Sequence, residues 1–540
     1  MTRNAAAVVS SRATSREWLG LAVLALPCLL YSMDLTVLHL AVPRISADLR
    51  PTSAELLWII DIYGFFVAGC LITMGTLGDR IGRRKLLLIG AAAFGVASIL
   101  AAFSHTTPML IASRAVLGVA GATLAPSTLS LVRNMFLDER QRTTAIAVII
   151  TSYSVGGAIG PLVGGALLEV FWWGSVFLIS VPVMALLLGL GPRLLPEYRD
   201  ETAGRPDMAS AALSLGAVLL VIFGLKQTAQ DGVSAVPTAA VVVGLALGAA
   251  FIRRQLRLAY PFIDLRLFRV PAFSASIATY ALVILVLFGG FLFLPQYLQL
   301  VLGLSPLEAG LWSLPWALSF VVGSMLTPRV ARRIRPAFVM AGGLVVAAVG
   351  FAVLTQVTAS TSLVVTAVAS AVFALGTSPV FTLTNDVILG AAPPERAGAA
   401  AGLSETGAEL AGALGISVFG SLGVAIYRHT LVALAPAGLP PDAAEAARGT
   451  LGAAIAVAAQ LPEQVAMPLV AAARTAFVDG FHVAAAVSSV GAIALALFVG
   501  LTLRHVREPA PVPAADRAAP RLRAEPGCER SLWRVNAERA

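Results

Sequence analysis

Charge is scarce in this chain. Only 12% of its 540 residues are Asp, Glu, Lys or Arg, while 58% are hydrophobic; a soluble domain is about 25% charged. That balance excludes an ordinary water-soluble fold. Cysteine is nearly absent too, with three in all. Cys28 and Cys70 fall inside apolar runs and Cys528 lies in the tail, with no CxxC spacing, so neither a disulfide framework nor a metal centre is expected. No GxxxxGK[ST] loop is found, which argues against ATP as a direct energy source. No nucleophile–base pair, metal cluster or phosphate loop stands out, so the chain reads as a non-enzyme without cofactor or metal. The first residues, MTRNAAAVVSSRATSREW, lack a compact apolar core with a cleavage site and do not read as a secretory signal peptide.

What the chain has instead is apolar blocks of about 18–25 residues, each long enough to cross a ~30 Å hydrocarbon core as a helix. Fourteen such spans are expected between residues 19 and 503, among them 19–41, 56–76, 109–132, 209–228, 236–253, 399–426 and 479–503. The net charge of +9 could suggest a nucleic-acid partner, but its distribution argues for membrane orientation. If the N-terminus is cytoplasmic, the loops on that side carry Arg80, Arg83, Arg84 and Lys85, then Arg133, Arg140 and Arg142, and further arginines down to Arg396. The opposite loops hold only Arg44, Arg50, Lys226, Arg428, Arg448 and Arg474. This bias predicts that both termini are cytoplasmic.

The expected organisation is all-α and polytopic. A short N-terminus (1–18) leads into a six-helix bundle (19–191), an inserted helix pair (209–253), a second six-helix bundle (272–503) and a disordered, Arg- and Pro-rich cytoplasmic tail (504–540). A faint repeat supports two related halves. GTLGDRIGRRK (Gly75–Lys85) ends the second span and SMLTPRVARRI (Ser324–Ile334) ends the tenth, with Leu, Arg and a basic pair at matching offsets. The outer segment 428–478 is Ala-rich and broken by prolines. Helical spacing in 443–460 and 463–478 predicts a short hairpin lying on the outer face, with a mobile loop as the bland alternative.

Against this background Asp34, Asp61, Asp386, Glu405 and Glu409 lie in or at the edges of apolar runs. A carboxylate at the bilayer centre costs about 2.5–3.5 kcal/mol on insertion scales, so retained acids imply use. Glu405 and Glu409 are one helical turn apart and share a face. Two such close carboxylates cannot both ionise cheaply, so one is expected to hold a proton near neutral pH. Binding a proton and binding a cation are the two roles that fit, although a structural pair is the bland alternative. Asp386 falls at the inner end of its span and fits a solvated helix-end residue as well as a site. Arg114, inside an apolar span, requires a carboxylate or carbonyl partner. Trp58, Tyr63, Tyr153, Tyr280, Phe288, Phe291, Trp312 and Trp316 could line a cavity and stack on flat cations, with packing or interfacial anchoring the commoner role.

GxLxDRxGRRK after the second span, LIASRAVLGVAGA (Leu110–Ala122) and SVGGAIGPLVGG (Ser154–Gly165) resemble the major facilitator superfamily. MDLTVLHLAVP (Met33–Pro43), LLWIIDIY (Leu56–Tyr63), WWGSVFLISVP (Trp172–Pro182) and ETGAELAGALG (Glu405–Gly415) resemble its fourteen-helix drug:proton antiporters, nearest to methyl viologen and quaternary-ammonium exporters. The resemblance implies proton-coupled export of lipophilic cations by a monomer in the bacterial inner membrane, with protons, cationic small molecules and the bilayer as partners and no nucleic acid. It implies proton coupling or cation recognition at Asp34, Asp61 and Glu405, with Glu409 at a commonly acidic position, and a proton-pathway role for Arg114. A conformational latch is implied at Gly75, Asp79, Arg80, Gly82, Arg83 and Arg84, and an antiporter motif at Gly156, Gly160, Pro161, Gly164 and Gly165. Ala411 departs from the glycine often found there. The alternative is a dedicated exporter of one natural product, in keeping with the Ala- and Arg-rich composition of a high-GC genome.

Overall fold

A computed structural model describes residues 12–199, 207–258, 261, 265–391, 397–436 and 439–504. Every long element among them is a helix, and fourteen are long and apolar enough to cross a membrane. Spans 1 to 6 are Ser15–Leu49, Ser53–Ile81, Arg83–Ala102, Thr107–Met135, Thr144–Val170 and Ser175–Leu194. Spans 7 and 8 are Met208–Thr228 and Ala235–Arg257. Spans 9 to 14 are Pro271–Val301, Pro306–Ala331, Pro336–Leu354, Leu363–Thr384, Leu403–Leu434 and Glu463–Thr502. The expected tail and most of the expected N-terminus lie outside the described residues.

Local chemistry sets the helix starts. Thr14, Thr52 and Ser305 each cap a helix whose third residue is Glu17, Glu55 or Glu308, closing a reciprocal capping box. Inside the spans Pro27, Pro43 and Pro161 are accommodated, as a protein-packed membrane helix allows. Span 4 is broken in the middle, between Gly121 and Leu124, and span 9 ends in a π turn at Tyr297–Val301.

Span 1 packs along span 5, span 2 along span 4, and span 3 against spans 4 and 6. Span 9 lies against spans 12, 13 and 14, and span 11 against spans 12 and 14. Spans 7 and 8 pack on each other, and span 7 reaches both span 2 and span 13. Two ends of the bundle are thereby defined. The Gly75–Arg84 loop marks the basic face, and the segment between spans 13 and 14 marks the opposite, hairpin face.

The hairpin-face segment differs from its expected form. It carries two short helices, Pro441–Ala447 and Leu451–Ala458, and the last helix begins at Glu463. Residues 463–478 are therefore the first turns of span 14 and not a separate arm. Extended Pro462 starts that helix and Pro468 is absorbed within it, leaving nothing to break the chain before residue 479. The two short helices are tied down: Tyr427 Oη donates to the Ala447 carbonyl at 2.9 Å and Ser53 Oγ to that of Gly449.

Contacts between the early and late spans gather toward this hairpin face. Gln299 Nε2 donates to the Leu40 carbonyl at 3.1 Å, Gly420 faces Leu57, and Gly452 faces Ser46. A pocket lined by Leu56, Leu57, Ile60, Leu292, Phe293 and Gly420 lies between the early and late spans on the same side.

Candidate functional site

Span 1 is long enough to place Asp34 deep in the bundle, and span 4 brings Arg114 to it. Arg114 Nη1 contacts Asp34 Oδ2 at 2.6 Å, with the arginine side chain 1% exposed and the aspartate 15%. The guanidinium also donates to the Ile59 carbonyl at 3.2 Å and to that of Ile60 at 3.4 Å, and its Cζ lies 4.7 Å from the centre of the Tyr63 ring. A guanidinium in a hydrocarbon layer needs this many acceptors. Asp34 holds one edge of it and remains 15% exposed.

Glu405 and Glu409 project from span 13 toward span 1. Glu409 Oε1 accepts from Tyr31 Oη at 2.6 Å. Glu405, one turn nearer the basic face, is exposed. Tyr31 stacks edge-on against Tyr153 at 5.7 Å and lies 6.0 Å from Tyr63, centre to centre. Asp34, Glu405 and Glu409 therefore stand around a cluster of three tyrosines. Acid and aromatic faces together are the chemistry that attracts a flat or quaternary cation.

Asp61 is not part of that open set. It is sealed, with its carboxylate gripped by Lys226 Nζ at 2.8 Å and by the Ser417 hydroxyl. Lys226 was expected in an arginine-poor loop. It lies instead inside the helix Met208–Asp231, 2% exposed, because the helix runs several residues past the apolar stretch and Asp61 supplies a buried partner. Neither Lys226 nor Ser417 nor Tyr31 was singled out by sequence reasoning. The one available signal was a lysine directly following the apolar run LLVIFGL.

At the basic face the chain reverses at a single residue between spans 2 and 3. Gly82 has φ +112°, a region that disfavours side chains, and a Cβ there would strike the Glu197 carboxylate. Arg83 Nε donates to Asp79 Oδ1 at 2.7 Å. Arg84 pairs with Glu197 at 3.4 Å and donates to the Leu195 carbonyl at 2.9 Å. Arg80 is exposed, and Gly75 faces Pro126 of span 4. The loop is thus tied to span 6 and to its own turn.

The glycines of span 5 face two ways. A Cβ on Gly156 would meet the Leu29 backbone, one on Gly160 the Thr36 hydroxyl, and one on Gly164 the Val37 side chain at 2.7 Å, all on span 1. Gly165 faces span 10, where a Cβ would lie 2.6 Å from the Pro306 carbonyl. Gly310 reciprocates, 2.5 Å from the carbonyl of Pro161. Backbones this close leave room for hydrogen only. Asp386 falls on the helix Leu363–Ala391, but its side chain, like that of Phe288, lies outside the described residues. Among the described residues no cluster of three or more potential metal ligands forms.

Comparison with known proteins agrees with this layout. Residues 24–416 match the Major Facilitator Superfamily. The chain is 44% identical over 496 residues to the multidrug efflux pump LfrA of Mycolicibacterium smegmatis, covering 92% of this chain and 98% of that one. It is 36% identical to the methyl viologen resistance protein SmvA of Salmonella typhimurium, over 90% and 98% of the two chains. It is 32% identical to the tetracenomycin C resistance and export protein of Streptomyces glaucescens, over 74% of each. Among solved structures, a bacterial homolog of the human lysosomal transporter Spinster superposes with a TM-score of 0.65 at 18% identity, over 91% of this chain and 97% of that one. At that identity the likeness concerns the fold.

Proposed function

The chain belongs to the Major Facilitator Superfamily, and we propose that it exports lipophilic cations from the cytoplasm in exchange for protons. The observation that carries this reading is the cluster of Asp34, Glu405 and the Tyr31–Glu409 pair around three tyrosines, between the early and late spans. The arginine bias makes the basic face cytoplasmic, so cargo would enter from inside. Relatives named for multidrug efflux and methyl viologen resistance support small-molecule export as the activity. The acids favour cationic cargo over the alternative of one neutral or anionic natural product.

The mechanism follows from charge. In a low-dielectric space an acid is best neutralised either by a proton or by a cation, not by both. Cargo arriving between the tyrosines would take the place of a proton at Glu405 or Glu409. Opening toward the hairpin face would release cargo where protons are abundant, and reprotonation would reset the acids. Expelling one positive charge against ~100 mV costs about 2.3 kcal/mol, and one entering proton returns the same amount. Monovalent exchange is then driven by the pH gradient alone, and divalent cargo needs more than one proton. Spans 1–6 and 9–14 serve as the two moving halves, with Gly165 against Pro306 and Gly310 against Pro161 as the closure that must part.

The test uses purified protein in proteoliposomes loaded with ethidium. An imposed pH gradient should drive ethidium across, and a protonophore should abolish the flux. Flux that ignores the protonophore, or that requires ATP, would overturn the reading.

A further inference from the structure

Spans 7 and 8 pack on each other, and span 7 packs on spans 2 and 13. Among the described residues of this inserted pair one charge is buried, Lys226, and this suggests a specific task. Lys226 Nζ lies 2.8 Å from both carboxylate oxygens of Asp61 and 3.8 Å from the centre of the Trp58 ring. An ammonium held between a carboxylate and an aromatic face is the arrangement by which a protein binds a cationic ligand. Here the ligand is the protein's own side chain.

Three further facts make this arrangement more than a snorkelling lysine. First, Lys226 is near a helix end and could reach water along its stem, yet its side chain is 1% exposed and that of Asp61 is fully buried. Second, the surroundings are apolar: Trp58, over which the ammonium lies, packs on a buried cluster of Phe65, Ile222 and Ala413, with Val218, Leu219, Leu410 and Leu414 beside it. Third, only two of the chain's 38 basic residues are lysine, Lys85 and Lys226. A guanidinium is a broad planar fork, whereas an ammonium is a compact point charge. The site between Trp58 and Asp61 suits the compact form.

Asp61 is also a three-way junction. It sits on span 2, Lys226 on span 7, and the donating Ser417 on span 13. Ser417 lies two turns beyond Glu409 along span 13, about 12 Å toward the hairpin face. The junction is therefore away from the open acids and on the side where the halves already meet.

From this geometry we propose that Lys226 permanently occupies an aromatic–carboxylate cation site, so that Asp61 anchors the inserted helix pair to both halves and is not loaded with cargo or proton. The inference goes beyond the export reading and revises the role that family resemblance implies for Asp61. It makes Lys226 a specificity-determining residue, because it bars cargo from a site that would otherwise bind it.

Two experiments test it on the full chain. The first labels the wild-type protein with an amine-reactive ester and reads each lysine by mass spectrometry, with and without ethidium or methyl viologen. Lys85 should label readily, and Lys226 should label more than ~10-fold more slowly, protection that a modest opening free energy confers, whether or not cation is present. Cation-induced labelling of Lys226 would show that cargo displaces it and would overturn the proposal. This readout needs no transport, so it stands even if the export reading fails.

The second compares Asp61→Asn, Lys226→Met and the double variant for yield of monodisperse protein and for ethidium flux. Each single change strands a buried charge, while the double change leaves none. Each single variant should lose roughly 10-fold or more in yield or flux, and the double variant should recover to within about 3-fold of wild type, the coupling expected of direct partners. A folded double variant as inactive as Asp61→Asn would show that the carboxylate itself carries cargo or proton. A double variant that does not fold would show that the pair is not replaceable as a neutral anchor. Either result overturns the proposal.

Discussion

Arg114 holds Asp34 at 2.6 Å from a helix 80 positions further along the chain, and the same guanidinium bonds the backbone of span 2 through Ile59 and Ile60. Spans 1, 2 and 4 are thereby fixed to each other at one buried cation. Of the pair, Asp34 keeps the greater exposure, 15% against 1%.

Removing either partner leaves the other without compensation. Arg114→Ala should destabilise the protein by about 3–5 kcal/mol, the cost of breaking a buried pair, and lower the yield of folded transporter. Asp34→Asn keeps the shape and removes the charge, so it should fold better than Arg114→Ala while losing most flux. Thermal unfolding in detergent beside ethidium flux separates the two effects. Equal loss of fold in both would contradict an exchange role for Asp34.

The pairing itself was not legible from sequence. An arginine inside an apolar span announces the need for a partner, but not which of several acids answers it, because the partners are far apart in the chain. Glu405 and Glu409 were legible as a unit, since helical spacing alone places them on one face. Their division was not: Tyr31 engages Glu409, while Glu405 is exposed, and both facts depend on how span 13 meets span 1. Lys226 was misplaced in a loop because hydropathy weakens just where its helix continues. The fourteen spans were legible because each is a run long enough to cross a bilayer, and their ends needed caps such as Pro462 to be located.

Glu409 and Tyr31 give the next prediction. Tyr31→Phe removes one hydrogen bond to a carboxylate, worth roughly 1.5–3 kcal/mol if that carboxylate is charged. It should shift the pH dependence of flux while leaving the protein folded. Glu409→Gln should do the same without abolishing transport. Glu405→Gln should weaken cationic cargo more than neutral cargo. Flux measured from pH 5 to 9 with ethidium and a neutral dye checks all three, and silence at both glutamates would move the exchange site to Asp34.

Asp79 is bound to Arg83 within its own turn, and among the described residues no ion pair joins it to the later spans. Asp79→Asn should therefore leave cation binding within about 2-fold, since no binding contact is lost, and slow turnover about 10-fold by weakening the turn that must move, an effect equivalent to ~1.4 kcal/mol on the barrier. Binding and initial flux on one preparation distinguish these. Lost affinity at unchanged turnover would remove the loop from the switching step.

Gly165 and Gly310 close the hairpin face by reciprocal contact, each against the backbone that carries the other. Gly165→Val or Gly310→Val inserts a branched side chain where a single Cβ already falls within 2.6 Å of a carbonyl oxygen. The halves must then separate at that face, so the variants should populate the state open toward the hairpin side. A cysteine placed at Val37, which faces Gly164 beside this closure, would report it through reaction with a membrane-impermeant maleimide added from outside. Gly160→Val is the contrasting control, because it wedges span 5 from span 1 within one half and should reduce folded yield without opening the seam. If Gly165→Val also lowers yield and leaves Val37→Cys unreactive, these glycines serve packing within the bundle and the closure lies with the Gln299–Leu40 contact.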